Sequence, residues 1–454
     1  MFFSEQGRRK LAEIKDKRAA GIRMVLRTLR FRNYRLFFGG QGISLTGTWM
    51  QQVAMSWLVY RLTDSELMLG LVSFAGRIPI FLLTPFMGVL ADRWNRHRIL
   101  VFTQTLSMVQ AFILSFLVVA HLVQVWHLIA LSVLLGVINA LDIPSRQAFI
   151  ADMVEDREDL GNAIALNSSL VNGARLVGPS VGGLLIAAVG EGMCFLLNAL
   201  SYLAVIIALL AMRIKPKPAQ SQQRQMLTDL IEGAKYVFGF APMRAILILV
   251  SVVSVMGMPY VVLMPVFARD IFHRGPHGLG FLMAASGAGA LAGAIYLAAR
   301  QGVRGLNRMI VLACLLFGAG LIAFSVSPWF GLSLGVLFVA GFGMMVQLAS
   351  SNTVLQTLVD EDKRGRLMSF YAMSFMGMAP FGSLLAGGLA HLIGAPCTVL
   401  VGGITCIIAA AWFSVKLPSL RAQILPIYLK KGITPEIASA ISQATEPHPP
   451  ANDH

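Results

Sequence analysis

Charge is scarce in this sequence. Only 13% of its 454 residues are Asp, Glu, Lys or Arg, where a soluble globular chain carries about 25%, so a water-facing surface of this size cannot be covered. Cysteine is scarcer: Cys194, Cys314, Cys397 and Cys406 stand singly in apolar runs. Without a CxxC pair they make neither a disulfide framework nor a thiolate metal or redox site, and they read as small buried hydrophobes. No Walker loop, nucleophile elbow or HExxH spacing occurs, and the histidines fall at the ends of apolar runs (His121, His127, His391) or in loops. Enzyme chemistry, a cofactor and a metal centre are therefore not expected. A cleavable signal is also missing, because residues 8–35 are basic and no short apolar core with a cleavage site follows.

What is present is apolar length. Hydrophobic residues make up 56% of the chain and the mean hydropathy is +0.70. Runs of about 18 residues or more recur, enough to cross a hydrocarbon layer of about 30 Å at 1.5 Å per residue; a barrel would show short alternating segments instead. The pattern predicts an all-α membrane protein with helices over 36–60, 67–90, 99–120, 126–148, 162–189, 193–212, 244–268, 279–299, 309–326, 329–350, 367–392 and 396–415. That is a basic segment (1–35), six helices (36–212), a polar linker with an amphipathic helix near Leu227–Phe238 (213–243), six more helices (244–415) and a tail (416–454).

Basic residues orient it. One set of alternate loops holds only Arg61, Arg269 and Arg274, and Arg77 and Arg175 lie inside predicted helices; the other lysines and arginines all fall on the side of the termini. By the positive-inside rule both termini are cytoplasmic. The formal charge of +15 is then a topology signal and an attraction to anionic lipid, not a nucleic-acid face. The two halves echo each other: DMVEDREDLGNA…GPSVGG before and through the fifth helix parallels TLVDEDKRGRLM…APFGSLLAGG at the eleventh, with Pro179 and Pro380 in comparable places. Such repeats suggest a transporter working by alternating access.

Between the second and third helices stands GVLADRWNRHR, residues 88–98. Gly88, Asp92, Arg93 and Arg96 resemble the signature of the major facilitator superfamily, with Asn95 where glycine is usual and His97 interrupting the basic pair. Asn tolerates left-handed turn geometry, so the turn is expected to persist. Gly88 would let a neighbouring helix approach, and Asp92 would face the positive end of a helix, which in that superfamily is the eleventh. The resemblance thus implies a cytoplasmic latch; the plainer alternative is a loop that only sets topology. NGARLVGPSVGG (172–183), with Gly173, Gly178, Pro179, Gly182 and Gly183, is similar to the superfamily's antiporter-type helix motif, although small-residue packing alone explains those residues too. GTWMQQVAMSWLVYRLTDSELMLGLV, INALDIPSRQAFIADMV and DEDKRGRLMSFYAMSFMGMAPFGSLLAGG resemble one subgroup, the enterobactin exporter and related bacterial efflux permeases. The resemblance implies a monomeric, twelve-helix bacterial inner-membrane transporter that exports a small organic molecule, siderophore-like or drug-like, in exchange for protons. A lipid or lysophospholipid flippase and a non-transporting receptor or scaffold are the alternatives.

Ionisable groups inside a membrane are costly and mark function. Arg77 and Arg175 lie near the expected midplane without a carboxylate at the same depth, so an electropositive cavity and anionic substrates are expected, with Asn172, Gln51 and Gln52 as further cavity candidates. A structural clamp on backbone carbonyls is the other reading of each arginine. Asp142 and Arg146 have i,i+4 spacing for an ion pair; they form either a structural pair or, through Asp142, a proton-coupling site.

Overall fold

The computed structural model describes residues 27–154, 157–213, 226–300, 305–360 and 363–430; most of the basic leading segment, residues 214–225 of the linker and residues 431–454 lie outside them. Helices account for almost all of it: α1 (Arg32–Thr63), α2 (Glu66–Arg93), α3 (Arg96–Val119), α4 (Val125–Asp152), α5 (Arg157–Val189), α6 (Glu191–Leu210), α7 (Met226–Gly239), α8 (Ala241–Ile271), α9 (Gly275–Ala299), α10 (Leu306–Val326), α11 (Phe330–Leu358), α12 (Arg364–Ile393) and α13 (Ala395–Lys430). Eleven are long and apolar enough to cross a membrane, and large apolar side chains such as Ile207, Leu312 and Val415 project outward, where hydrocarbon rather than water suits them. The chain is an all-α, multi-pass membrane protein.

The expected count of twelve is not met on apolarity, because α1 falls short. Its Gln41, Ser44 and Gln51 are buried, and the helix packs mainly on α5 and α6, so this helix of about 48 Å (1.5 Å per residue) carries polar groups turned away from lipid. The last helix also departs from expectation: it runs to Lys430 instead of ending at 415. Leu420, Ile424 and Tyr428 are buried at a spacing of four, which continues the apolar stripe past Pro418 and Pro426.

Successive helices reverse direction, so the molecule has a basic end, with the start of α1 and the end of α2, and a far end with the turn at 64–65. Helices α1 to α6 pack among themselves, as do α8 to α13, and the main contacts between the two sets are α2 with α12 and α5 with α9. Single-glycine turns close α5 to α6 and α12 to α13: Gly190 and Gly394 have φ of 82° and 83°, a left-handed region where a side chain would be strained. The amphipathic α7 sits on the start of α12. Glu232 pairs with Arg366 at 3.0 Å, Lys363 lies 4.5 Å over the Tyr236 ring, and Phe238 meets Phe370 edge-on.

Two helices are interrupted. α8 has π-helical turns at Val253–Gly257 and Phe267–Ile271, and α12 has one at Met373–Gly377. Such turns free backbone carbonyls and mark bends. Ser254 Oγ donates to the Phe375 carbonyl, so the bends of α8 and α12 are joined.

Candidate functional site

The far end is sealed by backbone approach. At the α5–α9 crossing, a Cβ built on Gly183 would lie 2.8 Å from Gly280 Cα and from the Pro276 carbonyl oxygen. At the α2–α12 crossing, a Cβ on Gly387 would lie 2.8 Å from Gly70 Cα. Gly183 precedes the Gly190 turn, and Gly387 the Gly394 turn, by the same seven residues, so the two seals are repeats of one another. Ser73 donates to Ser383 at 3.1 Å one turn deeper. Polar contacts add to this: Arg269 in α8 pairs with Asp64 after α1, Tyr60 donates to Asp270, and Arg61 holds Glu191 of α6 at 2.7 and 3.3 Å.

Contact persists to the middle of the molecule. Phe81 stacks edge-on with Phe381 and lies against Gly377, and Gly287 lies against the Arg175 carbonyl. Beyond that depth the crossings part. A Cβ added at Gly88 or Gly173 would meet nothing within 4 Å among the described residues, and much of α12 from Arg364 to Met373 is exposed.

Gly88 was expected to receive a close neighbour, and in this conformation a Cβ there would meet none among the described residues. The side chains of Asp92 and Arg93 lie outside the described residues. Arg96 pairs with Asp152 of α4 at 3.2 Å, within its own set of helices. Asn95 is not left-handed: at φ −68° and ψ 109° it caps α3, its Oδ1 accepting from the Arg98 amide at 3.2 Å, which satisfies an orphan helix donor. His97 Nε2 donates to the Leu209 carbonyl at 2.8 Å.

The glycines of the fifth-helix motif serve different neighbours. Gly178 and Gly182 seat α5 on α1 against Trp49 and Met50, Gly183 seats it on α9, and Gly173 is open. Pro179 lines a small pocket with Trp49, Arg175, Val261, Met264, Met283 and Ser286. The Arg175 guanidinium carbon lies 5.7 Å from the centre of the Trp49 ring, and Tyr260 shares a 2.6 Å hydrogen bond with Ser286. Arg77 and Arg175 each keep some accessible surface. Arg175 lines the small pocket, and Arg77 is not among its lining residues. Neither guanidinium has a carboxylate partner or a hydrogen bond among the described residues.

The remaining candidates separate. Gln51 is 4% exposed and spent on neighbours: it donates to Gln110 at 3.4 Å and accepts from Asn198 at 2.6 Å. It faces α3 and α6, not the cavity, because its polar partners lie there. Gln52 is half-buried. Asn172 folds back to donate to Ser168 O at 2.9 Å. Asp142, 2% exposed, accepts from Thr103 and Gln104 at 2.8 Å each and pairs with Arg146 at 3.2 Å, so its charge is compensated in place. Reasoning from sequence missed Trp49, Tyr260 and Ser286, and it passed over Tyr60, Asp64, Arg269 and Asp270. The signal for that far-end group was adjacent opposite charges at the end of an apolar run. Among the described residues no group of three His, Cys, Asp or Glu could hold a metal.

Comparison with known proteins gives a consistent relation. The profile of the family described as Transmembrane secretion effector matches residues 25–444. The chain is 26% identical to the Staphyloferrin A transporter of Staphylococcus aureus, over 82% of this chain and 93% of that one. It is 25% identical to the Multidrug efflux pump Tap of Mycolicibacterium fortuitum, over 84% and 93%. Among solved structures it is similar to a bacterial homolog of the human lysosomal transporter Spinster, in an inward-facing and unoccupied conformation, with a TM-score of 0.64, 15% identity and coverage of 84% and 96%.

Proposed function

The chain belongs to the transmembrane secretion effector family, a group of major facilitator superfamily transporters, and on that premise we propose that it exports a small organic molecule across a bacterial inner membrane in exchange for protons. In this reading helices α1–α6 and α8–α13 are two six-helix halves, both termini are cytoplasmic, and the basic end is the cytoplasmic one. The observation that carries the proposal is the pair of repeated crossings, glycine-packed at the far end and parted at the basic end. Rocking about them near Arg175–Gly287 and Phe81–Gly377 would close the basic end and open the other.

In that motion Gly88, Asp92, Arg93 and Arg96 would meet the start of α12 when the basic end closes. Asp142 is the candidate for proton coupling, but its three partners favour a structural role for the pair with Arg146. The cavity candidates without a side-chain hydrogen bond among the described residues are Arg77, Arg175 and Gln52.

Reporter thiols test the motion in sealed proteoliposomes, with exposed Cys397 replaced by serine. Ser369→Cys should react from the basic side at rest. Ser383→Cys, at a position 2% exposed, should be protected and become reactive from the far side when a transported compound is present. Staphyloferrin A and a cationic dye are the first compounds to compare, since one relative is named for the former and another for multidrug efflux. Labelling of both thiols that never changes with any compound or pH gradient would overturn alternating access.

A further inference from the structure

Arg77 and Arg175 pose a physical problem that the transport reading leaves open. Arg77 is 11 residues from the far end of α2 and Arg175 is 14 from that of α5, about 16 and 21 Å at 1.5 Å per residue. Both therefore lie near the middle of a layer about 30 Å thick. Two cations this deep repel one another, and the cost grows as water is excluded. Elsewhere the protein compensates its inward-facing charges: Asp142 has Arg146, Thr103 and Gln104, Glu191 has Arg61, and Asp159 has Arg30 at 3.0 Å. Arg77 and Arg175 alone among these have no acid, and no described carbonyl accepts from them. They sit at the depth where the crossings pivot, a region that the cycle must dehydrate when it seals.

The walls beside them are of another kind. Trp49 presents its ring to Arg175, and Met264 and Met283 line the same pocket. Methionine adapts to irregular apolar shapes, and an indole face accepts flat groups as well as cations. The one polar pair there, Tyr260 and Ser286, is already hydrogen-bonded to itself.

We propose that Arg77 and Arg175 form a two-point anion site, selecting an organic substrate that carries two or more acidic groups on an apolar or aromatic body laid against Trp49, Met264 and Met283. The proposal rests on the export reading and names its substrate class. A single anion offsets one guanidinium and leaves the other unpaired as water is excluded; two acidic groups on one molecule offset both. Guanidiniums suit carboxylates because the planar fork matches two oxygens. A lipid headgroup with a free phosphate offers related chemistry, and the test separates the sources.

The test uses the purified full-length protein in phosphatidylcholine nanodiscs, reading tryptophan fluorescence with Trp49→Phe as the reference that removes the local signal. The probes are phenylsuccinate, 3-phenylpropionate, 3-phenylpropionamide and 3-phenylpropylammonium. Phenylsuccinate should bind at least about tenfold more tightly than phenylpropionate, the size of one charge-assisted contact, and the ammonium compound should bind weakest. Arg77→Gln and Arg175→Gln should each bring the ratio of dianion to monoanion close to one, and Arg77→Lys should retain part of it. If the glutamine variants are not monodisperse, the ratio in the unaltered protein decides alone. Equal binding of all four probes, or preference for the ammonium, overturns the proposal. Lysophosphatidylglycerol that displaces phenylsuccinate at lower concentration than phenylsuccinate itself requires assigns the anion site to a lipid and overturns the small-molecule source. Reporter labelling separates this result from the transport reading: if Ser383→Cys still gains far-side reactivity in an Arg269→Ala background while anions show no preference, alternating access stands and only the substrate class falls.

Discussion

The two ends of the same helix pairs differ in what holds them. At the far end, α5–α9 and α2–α12 meet through glycine backbones, with Gly183 on Gly280 and Gly70 on Gly387. At the basic end the same four helices part, and Gly88 and Gly173 have open space where a side chain would go. A glycine is needed at the first pair now, because backbone already occupies the place of a Cβ. At the second pair nothing in this conformation requires one. The difference teaches that, on the transport reading, Gly88 and Gly173 would serve a packing that this state does not contain, as a two-state transporter demands of its sequence.

The largest effect should come from breaking the far-end seal. Gly183→Leu sets a side chain into Gly280 and Pro276. Over-packing of this kind costs about 3 kcal/mol at its upper end, roughly a hundredfold shift in population. Flux should fall to background, and Ser383→Cys should react from the far side at rest. Normal flux with a protected Ser383→Cys would mean that the crossing does not seal the molecule.

Next comes the rigidity that the comparison assumes, since only the gap between sets of helices should change. Asp142→Asn removes the charge that Arg146, Thr103 and Gln104 share. Breaking a buried pair costs about 3–5 kcal/mol, and because Arg146 stays partly accessible the lower value is expected. The purified variant should melt several degrees lower. A variant that keeps full thermal stability but loses transport driven by a pH gradient would instead make Asp142 the coupling acid.

Gly88→Leu sharpens the contrast directly. Its resting stability should change by less than about 0.5 kcal/mol, as for a substitution in open space. Closing the basic end should become harder, slowing flux on the order of tenfold, or about 1.4 kcal/mol. A large loss of resting stability would show that α2 already has a neighbour there.

How much of this was legible beforehand depends on what the chemistry leaves in the sequence. Apolar length located the eleven membrane helices α2 to α6 and α8 to α13, because burial in lipid is a property of each segment by itself. α1 failed that test since its glutamines face protein, a fact about neighbours. The end of α13 was recoverable from Leu420, Ile424 and Tyr428, but prolines at 418 and 426 made an early stop look reasonable. Within the site, Arg77, Arg175 and Asp142 stood out because ionisable groups in apolar runs are rare. Gln51 misled, as a polar side chain in a membrane helix carries no mark of whether it faces a cavity or a partner. Trp49, Tyr260 and Ser286 were invisible, being ordinary residues made notable only by the helices brought beside them. The conformation was the least legible feature, because on the transport reading one sequence must encode two states.

The smallest effect tests whether the far end is held by charge as well as by glycine. Arg269 pairs with Asp64 across the two sets of helices, and Tyr60 donates to Asp270 beside it. The side chains of Arg269 and Asp64 are 39% and 69% exposed, so solvent screens the pair. An exposed ion pair contributes about 0.2–1 kcal/mol. Arg269→Ala should therefore raise far-side labelling of Ser383→Cys only about 1.5- to 5-fold, with the increase shrinking in high salt as the remaining charges are screened. Asp64→Asn should give the same change, and the double variant no more than either alone, because both remove one interaction. Additive effects would mean that the two residues act on the far end separately. A change as large as that of Gly183→Leu would place the seal in the ion pair and leave the glycine crossings as its scaffold.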